Sequence, residues 1–324
     1  MCSPSVWTDF TTDGFFPGEV LGPTIHTIPA PANHRAATSG VNVTFHGVRG
    51  STPWHGPEIV RYGGNTSCVS IEVDGAAPIL LDLGTGLRYF GAQQPVDVPF
   101  RGTCLLSHLH WDHIQGLPFF TPLLTEGAHV TVYAPVQDDG ASVESVFEDT
   151  IKPPLFPVNL SYLPGQIDFV EVDNDEFVLD GGAHGEIRVM SRSIPHVGRT
   201  LGYRIEVGST SIAYLSDHQQ PCDGSLAATA GARELCDGVD LLIHDAQYTP
   251  DEFSVKCDWG HCTIGYGVWL AGECGAARVA LFHHDPSHDD DQLDVLSAEA
   301  AAAGEALGGE VFAAREGLTV SLGS

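Results

Sequence analysis

The 324-residue sequence predicts an α/β fold, a sandwich of two sheets with helices on the outside. Three observations lead there. Short apolar segments of strand character recur from residue 41 to the end, a few segments carry helical spacing, and the length fills one such unit rather than a string of small ones. Residues 1–40 are rich in Pro, Gly, Thr and Ser, with Trp7, Phe10, Phe15 and Phe16 scattered without period, and are expected to form an irregular extension. Residues 41–324 are expected to form the folded unit. It opens with the alternating strand Val41–Gly47 (VNVTFHG), and further strands are expected near 68–73, 78–82, 102–107, 129–133, 186–191, 201–207, 211–215, 239–244, 277–282 and 317–322. Helices are expected over 142–150, 263–274 and 290–307. The last has Leu293, Leu296, Ala300, Ala303 and Leu307 on one face, and acids at 289–291 that suit a helix N-terminus. The proline-rich segment 151–166 shows no clear element and is expected to act as a lid or a dimer contact.

The net charge is −28, from 42 acidic residues against twelve arginines and two lysines, Lys152 and Lys256. Such a surface repels polyanions and releases few counterions on binding them, so a long nucleic acid is not expected as a partner. A GC-rich or salt-adapted genome is an equally good source of the acidity. No apolar run approaches a membrane span, the first cation is Arg35, and no secretory signal is expected. Eight cysteines show no Cys-x-x-Cys spacing and several lie inside apolar runs, which fits buried free thiols in the cytoplasm.

Chemistry concentrates at residues 107–120, SHLHWDHIQGLPFF, just after the apolar run 102–107. His108, His110, Asp112 and His113 fall within six positions. Neutral imidazole and carboxylate are the ligands of borderline divalent metals. In an extended stretch His108 and His110 point the same way, so that pair can chelate one ion while Asp112 and His113, past the bend, serve a second.

His-x-His-x-Asp-His after a strand resembles the signature of the metallo-β-lactamase-fold hydrolases, and other pieces follow in that family's order over roughly residues 41–324. Asp82, in the strand 79–84 (ILLDLG), matches a buried aspartate that orients the histidine loop. His196 in 193–196 (SIPH) matches the third histidine of the first metal, and Asp217 in 214–217 (YLSD) the aspartate that bridges both. His283, first after the strand 278–282 (RVALF), matches the last histidine of the second metal, with His284 competing for that place. The resemblance implies a four-layer αββα sandwich and two divalent ions, zinc or manganese. His108, His110 and His196 would hold one ion, Asp112, His113 and His283 the other, with Asp217 between them. Such a pair of ions lowers the pKa of a water and neutralises charge on a phosphoryl or acyl oxygen.

Two further motifs bear on the substrate. The strand 241–248 (LLIHDAQY) and the segment 259–263 (WGHCT) resemble the His-Glu-Ala and His-Ser-Thr motifs of tRNase Z and related phosphodiesterases. The resemblance makes His261 the residue that meets the phosphate or protonates the leaving oxygen, supported by Asp245. Asp stands for Glu and Cys262 for Ser, and the shorter carboxylate draws its oxygens back by about one methylene. The segments 47–51 (GVRGS) and 62–67 (YGGNTS) resemble parts of phosphodiesterases that act on small cyclic phosphates. Arg49, Asn65 and His284 are therefore candidate substrate-binding residues; alternatively the glycines make tight turns and Arg49 pairs with a carboxylate. No basic Gly/Pro-rich arm of the tRNase Z kind is found.

The sequence thus leads to a cytoplasmic dinuclear phosphodiesterase for a small cyclic phosphate, a cyclic nucleotide foremost, with Asp112, His261 and Asp245 catalytic. Its expected partner is a small phosphate ester, with no long nucleic acid and no membrane, and a homodimer is left open. Other readings are a carboxylic ester, lactone or thioester hydrolase on the same metals, a tRNase Z-like nuclease, and a non-catalytic ligand sensor.

Overall fold

The structure is a computed structural model and describes residues 40–323. The extension expected over 1–40 lies, apart from Gly40, outside the described residues. The first sheet takes β1 (Val41–Gly47), β2 (Cys68–Val73), β3 (Ile79–Leu81), β4 (Arg101–Leu105), β5 (His129–Pro135) and β6 (Gln166–Val172). The chain then builds the second sheet from β7 (Glu176–Asp180), β8 (Glu186–Ser193), β9 (Leu201–Val207), β10 (Thr210–Leu215), β11 (Leu241–Asp245), β12 (Arg278–Phe282) and β13 (Glu310–Ala313). β14 (Thr319–Leu322) returns to pair antiparallel with β1. Each sheet has seven strands, in the orders β14-β1-β2-β3-β4-β5-β6 and β13-β12-β11-β10-β9-β8-β7.

Three apolar clusters define the layers. One joins the facing surfaces of the two sheets, through Phe45, Val69 and Ile71 on one side and Tyr203, Ile205 and Phe282 on the other. A second lies outside the first sheet, where helices α1 (Leu87–Ala92), α2 (Trp111–Ile114) and α3 (Val143–Thr150) cover Leu80, Cys104 and Val132. The third lies outside the second sheet under α4 (Ala230–Cys236), α6 (Ile264–Cys274) and α7 (Asp290–Leu307). The short α5 (Pro250–Lys256) is closed at its start by Thr249 and Glu252 in a reciprocal capping pair. The order helix, sheet, sheet, helix is the expected four-layer sandwich.

β3 and β4 run parallel, as do β10, β11 and β12, so their C-terminal ends open onto one rim. That rim receives the loops after Leu81, Leu105, Leu215, Asp245 and Phe282, the usual place for a ligand site between α/β strands. Two expectations shift. Segment 151–166 packs Leu160, Phe156 and Leu163 against the outer face of the first sheet. On α7 it is Gly304 rather than Ala303 that faces inward, because a side chain there would run into Val311, and Leu307 is exposed.

Candidate metal centre and active site

The rim gathers His108, His110, Asp112, His113, His196, Asp217, His261 and His283 into overlapping groups whose ligand atoms lie within 4.8 Å of one another. Four of the histidines have one ring nitrogen committed away from the centre. His113 Nδ1 donates to Asp82 Oδ2 at 2.7 Å, His196 Nδ1 to the Gly260 carbonyl at 2.6 Å, and His283 Nδ1 to Gln247 Oε1 at 2.9 Å. Ser107 Oγ donates to Asp82 Oδ2 at 2.9 Å and so accepts from His108 Nδ1, also 2.9 Å away. The Nε2 lone pairs of all four rings are therefore left pointing at the centre.

Those nitrogens face one another across the centre. His110 Nδ1 faces His196 Nε2 at 3.2 Å and His113 Nε2 faces His283 Nε2 at 3.3 Å. Tetrahedral zinc with nitrogen at about 2.0–2.1 Å sets neighbouring nitrogens about 3.3–3.4 Å apart, so these spacings suit a shared cation. His108 Nε2 and Asp217 Oδ2 are buried without a hydrogen-bond partner, an expensive arrangement unless an ion completes it. Asp217 sits between the two groups, with Oδ2 3.2 Å from His113 Nε2 and Oδ1 3.4 Å from His283 Nε2, 3.7 Å from His196 Nε2 and 3.8 Å from His108 Nε2. Asp112 Oδ2 lies 3.2 Å from His283 Nε2 and accepts from Ser51 N at 2.7 Å.

The electrostatics follow the same layout. Burial lowers His108, His110 and His196, the last to about 4, which keeps these imidazoles neutral and able to donate a lone pair. Burial alone would raise Asp112 and Asp217, but the surrounding histidines prevail and hold both far below the usual carboxylate range. At His113 burial is outweighed by Asp217, Asp112 and Asp82, which draw a positive charge to the middle of the cluster.

The backbone is strained at this place. Among the described residues three non-glycines have positive φ, Ser51 at 60°, Asp82 at 61° and His283 at 58°. All three touch the cluster, one through its amide, one through its carboxylate and one through its ring. Such conformations persist where surrounding contacts over-determine them. Glycine is needed at 260, where φ is 98° and a side chain would collide with His196 Nδ1.

Beside the cluster, His261 Nδ1 bonds Asp245 Oδ2 at 2.8 Å, so the contact forms despite the shorter carboxylate. Asp245 also accepts from the amides of Gln247 at 3.0 Å and His218 at 3.1 Å, which fixes it from three sides. Burial opposes protonation of His261, and Asp245 overcomes that to raise its pKa. Asp82 is held by Ser107 N at 2.7 Å and Tyr214 OH at 2.6 Å as well as by His113.

The three candidate substrate residues go elsewhere. Arg49 is fully buried and spends its guanidinium on the carbonyls of Gly63, Asp285 and His288, at 2.8, 3.2 and 2.6 Å. Asn65 donates to Glu316 Oε1 at 3.0 Å, and His284 Nε2 turns from the cluster to the Ala314 carbonyl at 2.9 Å. These bonds tie the loops behind the site together, and none of the three is among the side chains gathered in the cluster. Of His283 and His284, only His283 faces the cluster. Sequence reasoning missed Gln247, although it lies three residues past His244 in a strand singled out for its chemistry. It also missed Ser51 and the Gly260 carbonyl, which act through backbone groups that carry no residue-type signal.

Comparison with known proteins matches residues 78–284 to the family described as Beta-lactamase superfamily domain. A curated relative, Ribonuclease Z of Natronomonas pharaonis, is 24% identical over 332 residues, covering 87% of this chain and 98% of the relative. Among solved structures, the metallo-β-lactamase-fold protein YhfI from Bacillus subtilis superposes with a TM-score of 0.65 at 19% identity, over 88% of this chain and all (100%) of that one. The short form of human tRNase Z does so with 0.61 at 20% identity, over 87% and 100% of the two chains. Relatives named as ribonucleases overturn the expectation that no long nucleic acid is a partner. Net charge describes the far field, which salt screens within about 10 Å, whereas a substrate phosphate meets the local groups of the rim. Among the described residues no helix is long and apolar enough to cross a membrane. The chain belongs to the Beta-lactamase superfamily domain family and is a metal-dependent hydrolase of the metallo-β-lactamase fold.

Proposed function

We propose that residues 41–324 form a dinuclear metal-dependent phosphodiesterase whose substrates include small cyclic phosphates, cyclic nucleotides foremost. The observation that carries this reading is the Asp245–His261 pair standing beside the seven candidate ligands, 2.8 Å apart. Hydrolysis of a phosphodiester expels an alkoxide, a poor leaving group that needs a proton, whereas activated aryl esters and thioesters rely less on one. His261 is fastened through Nδ1, which leaves Nε2 free to hold a proton toward the leaving oxygen while Asp245 stabilises the imidazolium. Asp112, held by the Ser51 amide, orients the attacking water opposite that oxygen. His108, His110 and His196 would hold one ion and Asp112, His113 and His283 the other, with Asp217 shared. Zinc or manganese bound there lowers the pKa of a water and neutralises charge on the phosphoryl oxygens.

A second substrate, the phosphodiester of an RNA, is supported by the relatives named Ribonuclease Z. The same centre serves both, since the reacting group is the same. A cytoplasmic setting belongs to this proposal and is supported by the seven described cysteines, all free thiols. Metal-reconstituted protein assayed on 2′,3′- and 3′,5′-cyclic nucleotides, a tRNA precursor, a lactone and a β-lactam tests the reading. Turnover of phosphodiesters is expected; turnover confined to the lactone or β-lactam overturns it.

A further inference from the structure

Four of the five tryptophans lie among the described residues, and three of them, Trp54, Trp111 and Trp259, are exposed large side chains. Exposed indoles at this frequency are unusual, because a tryptophan left in water forfeits a large apolar area. Two of the three stand beside the cluster. Trp111 stands between His110 and Asp112 and is 54% exposed, while Trp259 precedes Gly260 and His261 and is 61% exposed. The two are linked through the cluster itself: His110 Nδ1 lies 3.2 Å from His196 Nε2, and His196 Nδ1 donates to the Gly260 carbonyl at 2.6 Å. They therefore flank the same His110–His196 side. His110 is also the one candidate ligand that is exposed, so this side is the mouth of the centre. Val197, next to His196, adds a further apolar group, 48% exposed. Trp259 is steadied by Lys256, whose Nζ lies 5.7 Å from the ring centroid.

The geometry points to Trp111 and Trp259 as stacking platforms for a nucleobase carried by the substrate, held at the mouth while its phosphodiester lies on the cluster. The inference rests on the phosphodiesterase reading and names the substrate class as base-bearing. The two indoles offer this occupant a π-face and no cation of their own. A neutral aromatic base needs none, because stacking on indole is insensitive to the surrounding negative potential and tolerates any base. An acyl or lactone substrate without an aromatic part gains nothing from such a rim.

The test uses metal-reconstituted protein and two probes, AMP and ribose 5-phosphate, which share a phosphate and differ in the base. Calorimetry and quenching of tryptophan fluorescence are expected to show AMP bound about 5- to 100-fold more tightly than ribose 5-phosphate. Trp111→Ala and Trp259→Ala should each remove most of that advantage while leaving ribose 5-phosphate affinity and metal content unchanged. Trp111→Phe should retain part of it, which separates stacking from loss of folding. Equal affinity for the two probes, or an advantage that survives both alanine substitutions, overturns the inference while the phosphodiesterase reading stands. Failure of both probes and of inorganic phosphate to bind overturns the two together.

Discussion

The two halves of the candidate metal centre are built differently. The inner half, Asp112, His113 and His283, is buried, and its groups are held by Ser51, Asp82 and Gln247, with Asp217 between it and the outer half. Strained backbone at 51, 82 and 283 accompanies it. The outer half, His108, His110 and His196, borders solvent at His110 and holds His196 by a single backbone carbonyl. Rigidity is thus concentrated where charge must be stabilised, and access where substrate must enter. Preorganisation of this kind makes electrostatic catalysis effective, because the groups need not reorganise during the reaction.

The largest effect expected is from Asp217→Ala, which removes the one carboxylate common to both halves. Metal content after reconstitution should fall below one equivalent per chain and activity to background; retention of two equivalents would remove Asp217 from the bridging position. Next, His261→Ala should cut turnover of alkyl phosphodiesters by about 10²- to 10⁴-fold, the usual range for a lost general acid. Activated aryl phosphates should suffer less, and metal content should be unchanged. An equal loss on both substrate types would leave His261 only a positioning role.

The comparison sharpens with Gln247→Ala, which frees His283 to rotate. Metal titration should show affinity for one ion weakened by about 10- to 100-fold and the other nearly unaffected. Gly260→Ala should show the reverse, disturbing His196. If each substitution weakens both ions equally, the halves are not separable. The smallest effect lies outside the centre, at His46, a buried histidine bonded to Ser70 Oγ at 2.9 Å. Burial lowers its pKa to about 4. Below the unfolded value near 6.5 the unfolded chain takes up a proton that the folded one refuses, so this group's share of stability is intact above pH 6.5 and declines between about 6.5 and 4. An NMR titration should find His46 near pH 4 with or without added metal; a value near 6.5 would refute its burial.

The strands that sequence reading missed, β6, β7 and β13, are all at sheet edges. Edge strands lack a neighbour on one side, so their burial is shallow and their apolar alternation weak; β6 is mostly half-exposed and β7 has no fully buried residue. Central strands such as β10, buried throughout, were readable from their apolar runs. The ligand candidates were readable for a related reason, because each lies in the stretch that follows such a run.

What the sequence by itself determined is local: four metal-capable side chains in six positions, further ones at the ends of apolar strands, and through them the family and its sandwich. The tertiary structure alone decided direction. It turned His283 inward and His284 to Ala314, sent Arg49 to three carbonyls, and closed the Asp245–His261 contact. The physical reason is the separation of the partners. Asp82 fixes His113 across 31 positions, Gln247 fixes His283 across 36, and Gly260 fixes His196 across 64. A ring's free nitrogen is set by the hydrogen bond its other nitrogen makes, and those bonds form only when the two sheets have packed.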